Sequence, residues 1–239
     1  MVDLFQDKAH EWDTRPIPTQ ISEGVFAALH GAVALSPELT VMDFGAGTGL
    51  ICAKVAPSVA RILAVDISAA MLEHLAKKPE LADKVDIFCQ NILTTPLGRQ
   101  VDLIVSAMAM HHVEDTLALF RTFHAHLAPG GQLAVADLDA EEGDFHPADA
   151  EGVYHAGFDR EALGALVLEA GFSEPRFVTA CEVDKGDKSY PIFLLTAQRP
   201  PPPTPSPVGR ERGRPSPPNP LSRMTGEGEA LTPPTPSPV

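Results

Sequence analysis

Cysteine and long apolar runs are both scarce in this sequence of 239 residues. The three cysteines, Cys52, Cys89 and Cys181, form no CxxC pair and no metal-ligand spacing, so we expect reduced thiols, core positions and no bound metal. No apolar run approaches the roughly 20 residues of a membrane span. The acidic N-terminus also lacks the apolar segment of a secretory signal. These features predict a cytoplasmic protein that does not contact a membrane.

Basic residues are also few compared with acidic ones. Lysine and arginine number 18 against 32 acidic residues, which gives a formal net charge of -14. Nucleic-acid affinity depends largely on basic side chains that neutralise phosphates, and residues 1–199 contain no basic cluster. The charge therefore argues against a nucleic-acid partner and favours a small-molecule substrate.

Proline is unevenly distributed along the chain. Residues 200–239 hold 14 of the 24 prolines, and the segment 202–208 recurs as 233–239 with the same sequence, PPTPSPV. Proline removes backbone donors, and few apolar side chains remain in this tail to bury. We therefore predict a folded domain over residues 1–199 and a disordered, low-complexity tail over residues 200–239. The tail is either a polyproline ligand or a translated repeat without a function, and its composition favours the latter.

Short apolar segments alternate with helical patterns through the predicted domain. Near-continuous apolar strands are typical of a parallel sheet covered on both faces. Repeated strand–helix units predict a doubly wound α/β fold, and a final pair of strands joined by a short link predicts a hairpin. The predicted strands are 40–44, 61–66, 85–89, 101–106, 131–137, 176–183 and 189–197. The predicted helices are 67–78, capped by Ser68, 113–127, stopped by the Pro129-Gly130-Gly131 triplet, and 158–170, stopped by Gly171.

The most specific motif is the glycine-rich turn that follows the first strand, GAGTG at residues 45–49. Its spacing is GxGxG, and Leu50 occupies the position of the third glycine of a dinucleotide fingerprint. Asp43 precedes the turn, where a carboxylate suits a ligand ammonium better than a pyrophosphate. Asp66 ends the second strand, where a carboxylate can accept hydrogen bonds from ribose hydroxyls. Together these features predict an adenosine-like ligand across the first two strands.

The sequence resembles the class I S-adenosylmethionine (SAM)-dependent methyltransferases. DFGAGTGL, AVDIS, VDLIVSAMAMHHV and LAPGGQLAVADL are similar to that family's motifs in order and spacing, and the likeness covers residues 42–198. FQDKAHEWD, ADLDAEEGDFH, HAGFDRE and YPIFLLTA resemble a group of small bacterial and fungal methyltransferases. The resemblance implies a Rossmann-like seven-stranded sheet with an antiparallel last strand, SAM as cofactor, and methyl transfer to a small molecule.

The resemblance also implies roles for individual residues. Asp43 is expected near the methionine ammonium and Asp66 on the ribose. Asn91 stands where the family usually has an aspartate for the adenine amino group, so weaker adenine binding is expected. The other residues expected to contact the cofactor are Gly45, Ala46, Gly47, Gly49, Ile67, Met71, Ile92, Ser106 and Ala107.

Candidate catalytic residues follow the fourth and fifth strands, because ligands of open α/β sheets bind at the carboxyl ends of strands. His111 and His112 are candidate bases, or else residues that fix the loop or cap the next helix. Asp139 and His146 are candidate substrate contacts within an acidic loop, which otherwise is simply solvated. His155 is a weaker candidate.

Near the N-terminus, Phe5, Ala9 and Trp12 share one face of a predicted short amphipathic helix. Such a helix either closes over the site as a lid or packs on the core.

Three other functions remain open at this point. A dinucleotide-dependent oxidoreductase shares the sheet but requires glycine at position 50. A non-catalytic SAM- or nucleoside-binding protein has the same fold, since fold alone does not establish chemistry. A nucleic-acid methyltransferase requires a basic groove. The sequence does not indicate the acceptor atom or the oligomeric state.

Overall fold

A computed structural model describes residues 3–202, which form a seven-stranded mixed sheet. The strands lie in the order β3-β2-β1-β4-β5-β7-β6. β1 to β5 are parallel, whereas β7 runs antiparallel to both β5 and β6. The strands are β1 (Thr40–Phe44), β2 (Arg61–Asp66), β3 (Val85–Cys89), β4 (Val101–Ala107), β5 (Leu127–Leu138), β6 (Ser173–Lys185) and β7 (Lys188–Gln198). The predicted Rossmann-like fold with an antiparallel last strand is confirmed.

The strand order reverses beside β1, which pairs with β2 on one side and with β4 on the other. In open parallel sheets, a ligand crevice forms outside the carboxyl ends of the strands at such a reversal. The register sets Phe44 of β1 opposite Val65 of β2 and Ser106 of β4. The segments that follow these three strands therefore meet at one edge of the sheet.

Helices cover both faces of the sheet because successive strand residues point to opposite sides. On one face, Val41 and Ile62 pack with Leu29 and Leu75; on the other, Met42 packs in a second core. The first face carries α1 (Pro16–Ala32), α2 (Leu50–Val55) and α3 (Ala69–Ala76), and the second carries α4 (Thr116–His126) and α5 (Arg160–Glu169). Each large apolar side chain that is fully buried stabilises the fold by about 1.5–3 kcal/mol.

Helix caps agree with the sequence in one case and differ in another. Ser68 caps α3, as predicted, and accepts a hydrogen bond from the Met71 backbone N–H at 3.2 Å. α4 begins three residues later than predicted, because the Asp115 carboxylate accepts from the Ala118 N–H at 2.8 Å and caps the helix. A histidine cap is therefore wrong, and His111 and His112 lie in a separate 3-10 turn.

The Pro129-Gly130-Gly131 triplet does not end the fourth helix. That helix stops at His126, and the triplet lies inside the irregular start of β5. Gly130 has φ of +84°, and its N–H donates to the Arg199 carbonyl at 2.9 Å. A register shift between β4 and β5 accommodates this segment, so the signal interpreted as a helix stop is a bend within a strand.

The structure shows where two of the three cysteines lie. Cys52 is buried as expected, but Cys89 is exposed because it ends β3, a strand at the edge of the sheet.

No helix among residues 3–202 is long and apolar enough to cross a membrane. The predicted tail lies, from residue 203 onward, outside the described residues, so its disorder stays a prediction.

Candidate active site

The glycine-rich turn adopts a backbone conformation that side chains other than glycine rarely allow. Gly45, Gly47 and Gly49 have φ of +70°, +53° and +84°. A Cβ atom at Gly45 would lie 2.3 Å from the Ala109 Cβ, and one at Gly49 would lie 2.8 Å from Leu75 Cγ. A Cβ at Gly47 would instead point into open space. Gly45 and Gly49 therefore serve the packing of the turn, whereas Gly47 leaves room for a ligand to approach the backbone.

Asp66 joins the glycine turn to the start of α3. Its two carboxylate oxygens accept hydrogen bonds from the Gly47 N–H and the Ser68 N–H, each at 2.8 Å. Burial raises the pKa of Asp66, while the backbone hydrogen bonds oppose that shift. A carboxylate has about four acceptor positions, so both oxygens keep the capacity to accept ribose hydroxyls.

A hydrophobic side chain lies exposed next to this carboxylate. Ile67 is 56% exposed, although it follows a strand whose preceding residues are buried. Met71, one turn into α3, is buried in contrast. Of the two residues expected to flank the adenine, Ile67 therefore has an apolar surface free to cover a base.

Asp43 lies beneath the turn and is 1% exposed. Burial raises its pKa to about 7, and its carboxyl accepts a hydrogen bond from the Cys52 thiol at 3.1 Å. The structure thus shows a buried acid under the glycine turn, and its interaction with a ligand ammonium stays a prediction.

The segments after β3 and β4 contain the other residues expected at the cofactor. The Asn91 side-chain oxygen accepts from the Leu93 N–H at 2.9 Å, which fixes the turn after β3. Ile92 is fully buried in the second core, so only its backbone remains available for a ligand. Ser106 is buried at the end of β4, and its hydroxyl has no hydrogen-bond partner within residues 3–202. Such a hydroxyl indicates a missing partner, because buried polar groups are normally satisfied.

Three histidines cluster beyond β4. The ring of His111 lies 4.1 Å from that of His112 and 4.9 Å from that of His146, measured between centroids. His111 Nδ1 lies 2.7 Å from the Asp137 carboxylate, and both residues are buried. Within the described part of the chain, the Nε2 atoms of His111 and His146 have no hydrogen-bond partner. The structure therefore brings together three of the four predicted catalytic candidates.

The environment of this cluster disfavours positive charge on two of its rings. Burial and the nearby His111 lower the pKa of His112 to about 4. Burial and the two neighbouring imidazoles lower the pKa of His146 to about 4 as well. Both rings are therefore neutral at physiological pH.

Residues 42–133 match a family model described as a methyltransferase domain. An uncharacterized methyltransferase of Schizosaccharomyces pombe is 27% identical over 157 residues, which cover 59% of this chain and 55% of that protein. The malonyl-[acyl-carrier protein] O-methyltransferase of Priestia megaterium is 35% identical over 100 residues, 40% of this chain and 35% of that protein. The chain thus spans about half or less of the length of these two relatives.

The N-methyltransferase NodS from Bradyrhizobium japonicum, in complex with S-adenosylhomocysteine, has a similar structure. Its TM-score is 0.63 at 19% identity, and the match covers 83% of this chain and 95% of NodS. At this identity the likeness shows the fold, and the matching family model adds the type of domain. The chain therefore contains a methyltransferase domain and has the fold of the class I SAM-dependent methyltransferases.

The residues of this domain fit SAM as a cofactor. Gly47 leaves space at the turn, Asp66 presents acceptor oxygens, and Ile67 exposes an apolar face beside them. The unpartnered hydroxyl of Ser106 lies at the end of the neighbouring β4. SAM supplies an activated methyl group when bound, so the protein's task is to hold and align it with an acceptor.

Asp139 and His155 are engaged elsewhere in the methyltransferase. Both Asp139 oxygens pair with the Arg160 guanidinium at 2.7 Å, a bidentate ion pair that a substrate would have to displace. His155 Nε2 donates to the Val113 carbonyl at 2.9 Å. These contacts show how the two side chains are held, and a substrate contact by Asp139 stays a prediction.

The N-terminal segment, residues 3–15, lies against the cofactor edge of the sheet. The Asp3 carboxylate accepts from the Ser68 hydroxyl at 2.9 Å, and Asp13 accepts from the Thr48 hydroxyl. The Phe5 ring packs edge-on against His112 at 5.4 Å. The predicted amphipathic helix is wrong in extent, because a 3-10 helix begins only at Ala9. The contacts favour a lid at the site over packing on the core alone.

Sequence reasoning missed Asp137 as a site residue. It falls at the end of an apolar strand, 26 residues after the histidine with which it pairs. The pairing of β4 with β5, which sets Ala107 opposite Ala136, brings the two together. The available signal is an acid at the carboxyl end of a strand next to the one that precedes the histidines.

Proposed function

We propose that this protein transfers the methyl group of SAM to a small-molecule acceptor. The observation that carries the proposal is the Asp66 carboxylate, held by the Gly47 and Ser68 N–H groups beside the exposed Ile67 side chain. This arrangement offers hydrogen-bond acceptors to a ribose and an apolar surface to an adenine. The open space at Gly47 admits a ligand close to the backbone.

The histidine cluster supports a catalytic function over simple cofactor binding. Buried ring nitrogens without hydrogen-bond partners, as in His111 and His146, are costly unless a ligand or a reaction uses them. Two histidines of the cluster, His111 and His112, directly follow β4. β4 pairs with β1, the strand that leads into the glycine turn. A protein that only stores SAM or a nucleoside has no need for such a group at this edge.

A small acceptor is supported by charge and by the N-terminal segment. The net charge of -14 repels a phosphate backbone. The segment 3–15 lies across the site at Ser68 and Thr48, which leaves little room for a macromolecule. The named relatives include a methyltransferase that acts on malonyl-acyl-carrier protein and one of ubiquinone biosynthesis, so acceptors within the family vary. A cytoplasmic location accords with the free cysteines.

The test measures where a labelled methyl group goes. The full-length protein is incubated with methyl-labelled SAM and, separately, with a panel of small hydroxyl, amine and thiol compounds, with total RNA and with duplex DNA. Label in a small-molecule product supports the proposal. Label in nucleic acid contradicts it, and SAM binding without label in any pool favours the non-catalytic alternative.

A further inference from the structure

Asp137 accepts hydrogen bonds that fix its position and that of His111. Its two oxygens accept from the His111 N–H at 3.2 Å and from the Leu138 N–H at 2.8 Å. The oxygen that faces Leu138 also lies 2.7 Å from His111 Nδ1. The carboxylate therefore holds both the backbone and the ring of His111.

This geometry determines which ring nitrogen of His111 carries the proton. A carboxylate only accepts hydrogen bonds, so Nδ1 must be the donor at 2.7 Å. In a neutral imidazole with Nδ1 protonated, Nε2 has a free lone pair. That atom is buried and has no hydrogen-bond partner within residues 3–202. His111 thus has a buried proton acceptor that no other described residue uses.

Charge singles out His111 within its cluster. An imidazolium at His111 would be paired with Asp137, whereas His112 donates from Nδ1 to the neutral Gly152 carbonyl at 2.7 Å. Burial, and after it the other two rings and Lys185, disfavour the charged form of His146. Lys8 of the N-terminal segment disfavours charge at His112 in the same way. His111 is therefore the ring of the cluster that is paired with a carboxylate.

The segment that leads to His111 lies next to the glycine turn. Ala109, two residues before His111, lies so close to Gly45 that no side chain fits between them. Met108, between this alanine and β4, has φ of +57°, a strained conformation for a non-glycine residue. The segment after β4 therefore packs closely against the glycine turn. His111 lies in this segment, at the carboxyl ends of the parallel strands.

We propose that His111 is the general base of the methyl transfer and that Asp137 is its positioning residue, which makes the acceptor a hydroxyl compound. This inference rests on the proposed function. In the step, the acceptor oxygen forms a bond to the methyl carbon, and the carbon–sulfur bond breaks with its electron pair passing to sulfur. The hydroxyl proton passes to His111 Nε2, and S-adenosylhomocysteine and a methyl ether leave. Thiols ionise readily and neutral amines attack without prior deprotonation, so a buried base is of most use to a hydroxyl.

The first arm of the test needs no acceptor. Histidine-labelled protein is studied by long-range ¹H–¹⁵N NMR at neutral pH, with and without saturating S-adenosylhomocysteine. We expect His111 in the form with Nδ1 protonated and Nε2 unprotonated, and a rise in the other form in folded Asp137→Asn. A wild-type His111 protonated at Nε2, or a tautomer unaffected by Asp137→Asn, overturns the inference.

The second arm separates a base from a structural residue. With hydroxyl acceptors, His111→Gln should lower kcat at least about 100-fold, the usual range for loss of a general base. With an aromatic thiol already ionised at neutral pH, the loss should stay within about threefold. Equal loss with both acceptors overturns the inference. His30→Gln, an exposed change on α1, is the matched control and should leave both rates unchanged.

The two proposals fail in different ways. Absence of SAM binding by folded wild-type protein contradicts the methyltransferase function, while the tautomer of His111 remains measurable. SAM binding together with an Nε2-protonated His111 contradicts only the base. If no acceptor in the panel turns over, the NMR arm decides.

Discussion

Replacing Gly47 by alanine should separate cofactor binding from stability. Gly47 has φ of +53°, and a Cβ there would meet no atom closer than the Gly45 carbonyl oxygen at 4.0 Å. The left-handed conformation costs an L-residue about 1–2 kcal/mol. For a domain of this size, that corresponds to a fall in Tm of about 2–8 °C. The new methyl group would occupy space that we assign to SAM, so affinity should fall at least about tenfold, or 1.4 kcal/mol.

Two matched variants isolate the effect on the cofactor. Gly98 has φ of +65° and open space around it, but it precedes β4 and lies at the opposite edge of the sheet. Gly98→Ala should therefore show a similar fall in Tm with unchanged SAM affinity. Gly45→Ala should be worse in stability, because its Cβ would lie 2.3 Å from Ala109 Cβ. Overpacking adds about 1–3 kcal/mol to the backbone strain.

Calorimetric titration with SAM and thermal unfolding of the same samples provide the assay. If Gly47→Ala binds SAM within twofold of the wild type, the cofactor does not approach this backbone, and the reasoning is refuted. If Gly98→Ala loses affinity to the same extent, the loss reflects general destabilisation.

Three further changes test other parts of the structure. Removal of residues 200–239 should leave Tm and SAM affinity nearly unchanged, and a large loss of either would show that the tail contributes to the fold. Burial raises the pKa of Asp43 from an ordinary 3.8 to about 7. Between these values the folded state binds a proton that the unfolded state does not, so the free energy of unfolding should fall as pH rises from about 4 to 7. Asp43→Asn should flatten that slope in denaturant titrations, and an unchanged slope would assign it to other groups. Phe123→Ala, at a fully buried ring 5.0 Å from Phe44, should cost about 3–5 kcal/mol of unfolding free energy, and a cost below about 1 kcal/mol would contradict the packing.

Local signals were sufficient to predict the strand, the glycine turn and the position of Asp66 at the next strand end. The strand before Gly45, the glycine turn itself and Asp66 lie close in sequence, so their geometry depends on neighbouring strands and one connection. Ser68 identified the start of α3 because a helix N-terminus needs a side-chain acceptor close by in the chain. These interactions join residues that lie close together in the sequence, so residue types and spacing were enough to predict them.

The acceptor side depends on contacts between distant segments. His111 meets Asp137 only through the register of β4 and β5, and His146 reaches the His111 ring from a loop after β5. Phe5 reaches His112 from the N-terminus. No local periodicity encodes such contacts, so sequence reasoning found the histidines without finding the carboxylate that orients one of them. The Pro129-Gly130-Gly131 triplet failed as a helix stop because pairing with neighbouring strands overrode its turn preference.

Titration of the full-length protein with SAM and, separately, with NADH tests the central claim most directly. The wild type should bind SAM with a micromolar Kd and should not bind NADH, and Asp66→Ala should weaken SAM at least about tenfold because it removes both acceptor oxygens from the ribose. Absence of SAM binding by folded wild-type protein, or unchanged affinity in Asp66→Ala, would contradict the account.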